Sequence, residues 1–157
     1  MKYLALAVIA LIIIAAYLTT HYLLINSGVS TVTTVNVKST QSQYSIKVYI
    51  NDEYVTSLTL SDLKKLRQYK FVDSLGKVQE GPLLKGVIIK LLGINSFKYV
   101  VIKGRGHVKL NYEDVMNEEN YIILDFTRKG TVKLCGREDV IPRNEWVKDV
   151  AIIKIYR

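Results

Sequence analysis

The sequence predicts a β-rich α+β domain with two or three short helices, preceded by one N-terminal transmembrane helix. Three observations predict this: an apolar N-terminal run, a series of short alternating apolar and polar runs bounded by Gly, Pro, Asn and Asp, and the lack of regular strand-helix-strand spacing. At 157 residues the chain holds one ordinary domain once the apolar run is set aside. The expected organisation is a membrane anchor over residues 1–25, a Ser/Thr-rich linker over 26–45 and the α+β domain over 46–157.

Tyr3 to Leu18 carries no charge, and apolar character resumes at Tyr22 to Ile25 after Thr19, Thr20 and His21. As a helix, Tyr3 to Ile25 would extend about 35 Å at about 1.5 Å per residue, enough for a hydrocarbon core of about 30 Å. Lys2 and the α-amino group precede the run and no charge follows until Lys38, so the positive-inside bias expects the N-terminus in the cytoplasm. The expectation is a single-pass protein of the cytoplasmic membrane with its domain outside. A signal peptide cleaved after Ser30 is the alternative, and both readings export the domain. Between Asn26 and Ser45, Ser and Thr dominate, although Val29, Val32, Val35 and Val37 lend part of the stretch a β-like rhythm.

Within the domain, Ile46, Val48 and Ile50 alternate with polar residues, Asn51 to Glu53 interrupt, and Tyr54 to Leu60 resumes the alternation, which predicts a hairpin. Ser61 is the expected N-cap of a helix through Leu66, with Leu63 and Leu66 on its inner face. Tyr69 to Leu75 is the next strand, Gly76 and Lys77 a turn, and Gly81-Pro82 a loop leading to a short buried helix over Val87 to Leu92 that ends at Gly93. Phe97 to Ile102 and His107 to Leu110 read as strands about a turn in which Gly104 and Gly106 flank Arg105. Asn111 with Asp114 resembles a capping box for a helical turn through Met116. Tyr121 to Phe126 and Thr131 to Cys135 form strands joined at Thr127 to Gly130, and Val150 to Tyr156 is the last strand.

The formal net charge of +8, of which Lys2 supplies one, suits contact with anionic groups or an acidic partner. A single cysteine, Cys135, excludes an intramolecular disulfide and a cysteine-rich zinc site. Cys135 is expected to be an inert, half-buried thiol. His107, the domain's one histidine, cannot build a metal cluster alone. Glu113-Asp114 and Glu118-Glu119 are adjacent pairs that diverge on a helix and read as solvated charges. The remaining candidates form an anion site: Arg105 and His107 at the Gly-Arg-Gly turn, with Arg137 and Arg143 on the loop that holds Pro142, Trp146 and Lys148.

Four stretches, in order, carry a family resemblance: LTLSDLKKL from Leu58, GPLLKGVIIKLLG from Gly81, Phe97 to Met116, and VIPRNEWVKDVAIIKI from Val140. Over roughly Leu58 to Arg157 they resemble the oxidoreductase molybdopterin-binding domain of the sulfite-oxidase-like superfamily. The resemblance implies that family's fold, and the active members bind molybdenum through a cysteine thiolate ahead of the Gly-containing helix. The corresponding stretch here, Tyr69 to Gly81, has no cysteine, and the usual Asp-Gly-Tyr turn reads Gly104-Arg105-Gly106-His107. The expectation is therefore a degenerate domain: a membrane-held binding or interaction module for a protein partner or a small anionic ligand, with nucleic acid not expected. A molybdopterin-dependent oxidoreductase subunit is the alternative reading, with no catalytic or metal-ligating residue assigned.

Overall fold

The computed structural model describes residues 44–157, so the expected membrane helix and nearly all of the linker lie outside the described residues. No helix among the described residues is long and apolar enough to cross a membrane. The fold is β-rich with few short helices, as the alternating sequence predicts. Strands β1 (Ser45–Ile50) and β2 (Glu53–Thr59) form the first hairpin, turning through Asn51 and Asp52, both at positive φ. Asn and Asp tolerate that region better than most residues. Helix α1 (Leu60–Lys64) follows directly, and its N-cap is Thr59 rather than Ser61. Asp62 decides this. Its backbone N–H donates to the Thr59 hydroxyl at 3.3 Å, and its carboxylate accepts from the Thr59 N–H at 3.0 Å.

Strands β3 (Gln68–Val72) and β4 (Val78–Pro82) make an antiparallel ribbon. Gly81 and Pro82 thus end a strand instead of forming a loop, because the chain must run past the strand at Ile123–Phe126 in close contact. A Cβ on Gly81 would lie 2.1 Å from the Leu124 carbonyl oxygen, so only glycine allows this approach. Helix α2 (Leu84–Gly86) continues into a π-helical turn over Val87–Leu91, where the Leu92 N–H reaches the Val87 carbonyl at 3.2 Å; Gly93 then leaves the helix at positive φ. The predicted helix starts three residues too late.

Strand β5 (Tyr99–Asn111) doubles back on itself, with Gly106 at positive φ beside the bend. The Tyr112 N–H donates to the Lys98 carbonyl at 3.1 Å, and Lys109 Nζ lies 3.9 Å from the Tyr99 ring centre. An unbroken strand would separate Tyr99 from Lys109 by about 33 Å. The midpoint of this fold-back is Arg105, between Gly104 and Gly106, where the sequence predicts the turn. Val100, Ile102, Val108 and Leu110 then share one buried face. Helix α3 (Tyr112–Met116), a 3-10 turn at Glu118–Asn120, the ribbon of β6 (Ile123–Phe126) and β7 (Val132–Cys135), a 3-10 turn at Arg143–Glu145 and strand β8 (Lys148–Tyr156) complete the chain.

The main sheet has the order β2-β1-β8-β5, with β1 and β8 parallel and the other pairs antiparallel. Its inner face supplies Ile46, Val48, Ile102, Ile153 and Ile155 to the core, which the two ribbons and α2 complete with Leu84, Ile88, Leu124 and Leu134. Isolated bridges, Leu83 with Ile123 and Leu134 with Val147, stitch the layers together. Tyr44 belongs to this fold, not to a linker: its hydroxyl donates to the Val150 carbonyl and accepts from the Val132 N–H.

Candidate functional site

Arg105 stands at the apex of the β5 fold-back, against the start of β8. A Cβ on Gly104 would meet the carbonyl oxygens of Lys148 and Asp149 at 2.5 Å, so glycine is required for the two backbones to touch. Asp149 adopts positive φ there. Its carboxylate binds Arg105 Nε at 2.5 Å and accepts from the Thr131 hydroxyl at 2.7 Å. These contacts hold Asp149 below the usual carboxylate range: the Thr131 hydrogen bond does most, and Arg105 and Lys129 add their positive charge against the cost of burial.

Around this pair lies a depression of about 260 Å³ lined by Arg105, Thr127, Arg128, Lys129, Lys133, Lys148 and Asp149. Five cationic side chains thus meet one carboxylate. Lys133 is partly spoken for, since its ammonium contacts Asp125 at 3.1 Å and Gln79 at 2.5 Å. Arg128, Lys129 and Lys148 are exposed and form no ion pair among the described residues. Every Asp and Glu of the chain lies at or after Asp52, so residues 1–43 contain no carboxylate to neutralise them. A site of this kind attracts phosphate, sulfo or carboxylate groups, with Arg105 providing directed donors and the lysines point charge.

Arg137 and Arg143 lie in a different electrostatic setting. Asp73, at the β3–β4 turn, is buried, and its carboxylate accepts from Leu75 N–H (3.0 Å), Lys77 N–H (2.9 Å), Gln79 Nε2 (2.9 Å) and Arg143 (2.7 Å). Burial by itself raises its pKa, but the Lys77 N–H, Arg143 and the Leu75 N–H outweigh it and the pKa falls below the usual range. Arg143 also faces Glu138 at 3.8 Å and packs over Trp146, 5.0 Å from the ring centre. Arg137 forks onto Asp139 through Nε (3.1 Å) and Nη2 (2.8 Å). The hollow beside them, about 210 Å³, contains Asp73, Glu138 and Asp139 as well as Arg137. Arg137, the cation that lines it, is already matched by Asp139, and Arg143 is bound to the Asp73 carboxylate on its wall.

The structure thus divides the four expected anion-site residues. Arg105 joins a basic depression, Arg137 and Arg143 serve a carboxylate-rich hollow, and His107 is exposed on the return arm of β5. Lys148, expected beside Arg137 and Arg143, sits with Arg105, which it opposes directly in the sheet. Sequence reasoning missed Arg128 and Lys129, although Thr127-Arg128-Lys129-Gly130 was legible as a basic hairpin turn. It also missed Asp73 and Asp149, whose arginine partners are distant in the chain. Cys135 is fully buried on β7, not half-buried, and burial pushes its thiol up to about 12, with Lys133 opposing weakly. Among the described residues, no group of three or more His, Cys, Asp and Glu side chains is placed to hold a metal ion. No family model matches this chain, and no curated protein matches it.

Proposed function

We propose that this chain is a membrane-anchored, extracytoplasmic binding module that captures an anionic group at Arg105, on a degenerate fold of the sulfite-oxidase-like kind. The observation that carries the reading is the depression where Arg105, Arg128, Lys129 and Lys148 outnumber Asp149. The four resembling stretches and their order support the fold assignment. Lys2 ahead of the apolar run supports the outward orientation.

Molybdopterin does not fit the residues present. A molybdenum centre of that family takes a thiolate, whereas Cys135 is enclosed in the core with its thiol held neutral, and Tyr69 to Gly81 offers no replacement sulfur. No redox step is part of the reading.

Titration of the full-length protein in lipid nanodiscs with inorganic phosphate and with sulfate, followed by calorimetry, tests the anion site. Saturable binding that weakens at least tenfold in Arg105→Glu and Lys129→Glu, and stays unchanged in Arg137→Glu, is the expected result. Equal binding in all three variants, or none in the parent, rejects the site. A reporter fused after Arg157 tests the orientation and should behave as exported.

A further inference from the structure

We infer that the outer face of the four-stranded sheet is a docking surface for an anionic lipid headgroup plane. The strand registers arrange this face in rows. Lys103, Ile152 and Lys47 lie side by side on β5, β8 and β1; the next row is Val101, Lys154 and Tyr49; the third pairs Tyr99 with Tyr156. Rows follow each other at about 7 Å and strands at about 4.8 Å, so the face is a broad, gently twisted array.

Side-chain contacts confirm that these residues share one side. Tyr99 and Tyr156 stack with ring centres 4.7 Å apart, Tyr49 meets Tyr54 at 5.8 Å, and the Lys109 and Lys154 ammonium groups lie over Tyr99 and Tyr49 at 3.9 and 5.7 Å. The opposite side of the same strands holds Ile46, Val48, Ile102 and Ile153 in the core. Among the described residues Asp52 is the carboxylate in contact with the array, and it is engaged by Lys154 at 2.7 Å and by the Tyr156 hydroxyl at 2.8 Å. Lys47 and Lys103 are exposed and carry no ion pair among the described residues.

The composition selects the occupant. Tyrosine places an apolar ring and a polar tip at a membrane interface, and lysine gives its charge to anionic headgroups while its stem covers apolar surface. Ile152 and Val101 between them add shallow apolar contact. A second copy of this chain is disfavoured because two net positive faces would be opposed. The inference rests on the reading that Tyr3 to Ile25 spans a bilayer. On that reading Asn26 to Gln43, roughly 18 residues at up to about 3.6 Å each, confine the domain within about 65 Å of a headgroup plane. The partner is then always at hand, so weak contacts suffice to hold the face down.

The test uses the full chain in nanodiscs of phosphatidylcholine with or without phosphatidylglycerol. One environment-sensitive label is placed at Ser57→Cys, opposite Lys47 on the outer face, or at Val72→Cys, an exposed site on β3. Buried Cys135 escapes labelling. Quenching by headgroup-labelled lipid is expected at position 57 only, with phosphatidylglycerol only, and is expected to vanish at about 1 M salt, where charges are screened within about 3 Å. Combining Lys47→Gln with Lys103→Gln should lower the docked-to-undocked ratio roughly 25-fold, at roughly fivefold per lysine. Equal quenching at both positions, insensitivity to the anionic lipid, or an unchanged ratio in the double variant overturns the inference while leaving the anchor intact. Release of the chain by an alkaline wash overturns the anchor reading, and the docking surface with it. Protection of the label by an acidic polymer without lipid contact assigns the face to a different partner and also overturns it.

Discussion

At the scale of single residues, the environment of Cys135 governs what its substitution does. With no exposed surface, the thiol acts as a small apolar group within the hydrophobic core. Cys135→Ser places a hydroxyl there without a built-in partner and is expected to cost about 1–3 kcal/mol, with Cys135→Ala milder, by urea denaturation. The thiol pKa, raised by burial from 9.0 to about 12, also carries a pH sign. Its contribution to stability is present below pH 9 and is lost as pH rises from 9 toward 12, because the unfolded chain ionises first. The Tyr44 hydroxyl, raised by burial from 10.0 to about 12, adds loss over the upper part of the same window. A reagent for free thiols should therefore react with the native protein only after unfolding. Glycines show the same dependence on place. Gly81→Ala forces a methyl onto the Leu124 carbonyl and should cost about 1–3 kcal/mol, whereas Gly86, helical and with open space around a Cβ, should gain about 0.5–1 kcal/mol as alanine. Thermal melts of the two variants should move in opposite directions.

At the scale of elements, short helices of five residues cannot persist on propensity alone and depend on caps and packing. Thr59 caps α1 through its hydroxyl, and Leu63 anchors the helix in the core. Thr59→Ala is expected to cost about 0.5–2 kcal/mol. Asp62, the reciprocal partner, has its pKa lowered from 3.8 to about 2, chiefly by the Thr59 N–H and hydroxyl and then by Lys65. A depressed carboxylate stabilises above its unfolded pKa, so this contribution is intact above about pH 4 and disappears as pH falls from 3.8 toward 2. The parent should lose stability through that acid window more steeply than Asp62→Asn, measured as the urea midpoint against pH. The cap was one residue pair away from the sequence-based choice because Ser61 and Thr59 are both good caps; Asp62, three residues after Thr59, selects between them. The β5 fold-back was legible for a similar reason, since Gly104 and Gly106 bracket the turn. The continuation of β4 through Gly81 and Pro82 was not. Gly-Pro is an ordinary loop signal, and only the passage of β6 alongside turns that glycine into a strand residue.

At the scale of the whole molecule, β1 and β8 lie parallel at the centre of the sheet, so the first and last strands of the described domain close the fold together. The Arg143–Asp73 pair makes a second long-range tie, fastening the β3–β4 turn to the loop that holds Trp146. Removing one partner strands a buried carboxylate. Arg143→Met is expected to lower the urea midpoint clearly, while Arg137→Met, which releases only the exposed Asp139, should leave it nearly unchanged. What the sequence by itself determined is the local and periodic part: the β-rich α+β class, the hairpins at Asn51-Asp52, Gly104-Arg105-Gly106 and Thr127–Gly130, and a short helix ending at Gly93. Those features follow from side-chain alternation and turn chemistry, which act between residues close in the chain. Only the tertiary structure decided which charges meet. It sent Arg105 to Asp149 beside Arg128, Lys129 and Lys148, and gave Arg143 to Asp73, because strand order and register set distances between residues far apart in the chain, and no local pattern encodes that choice.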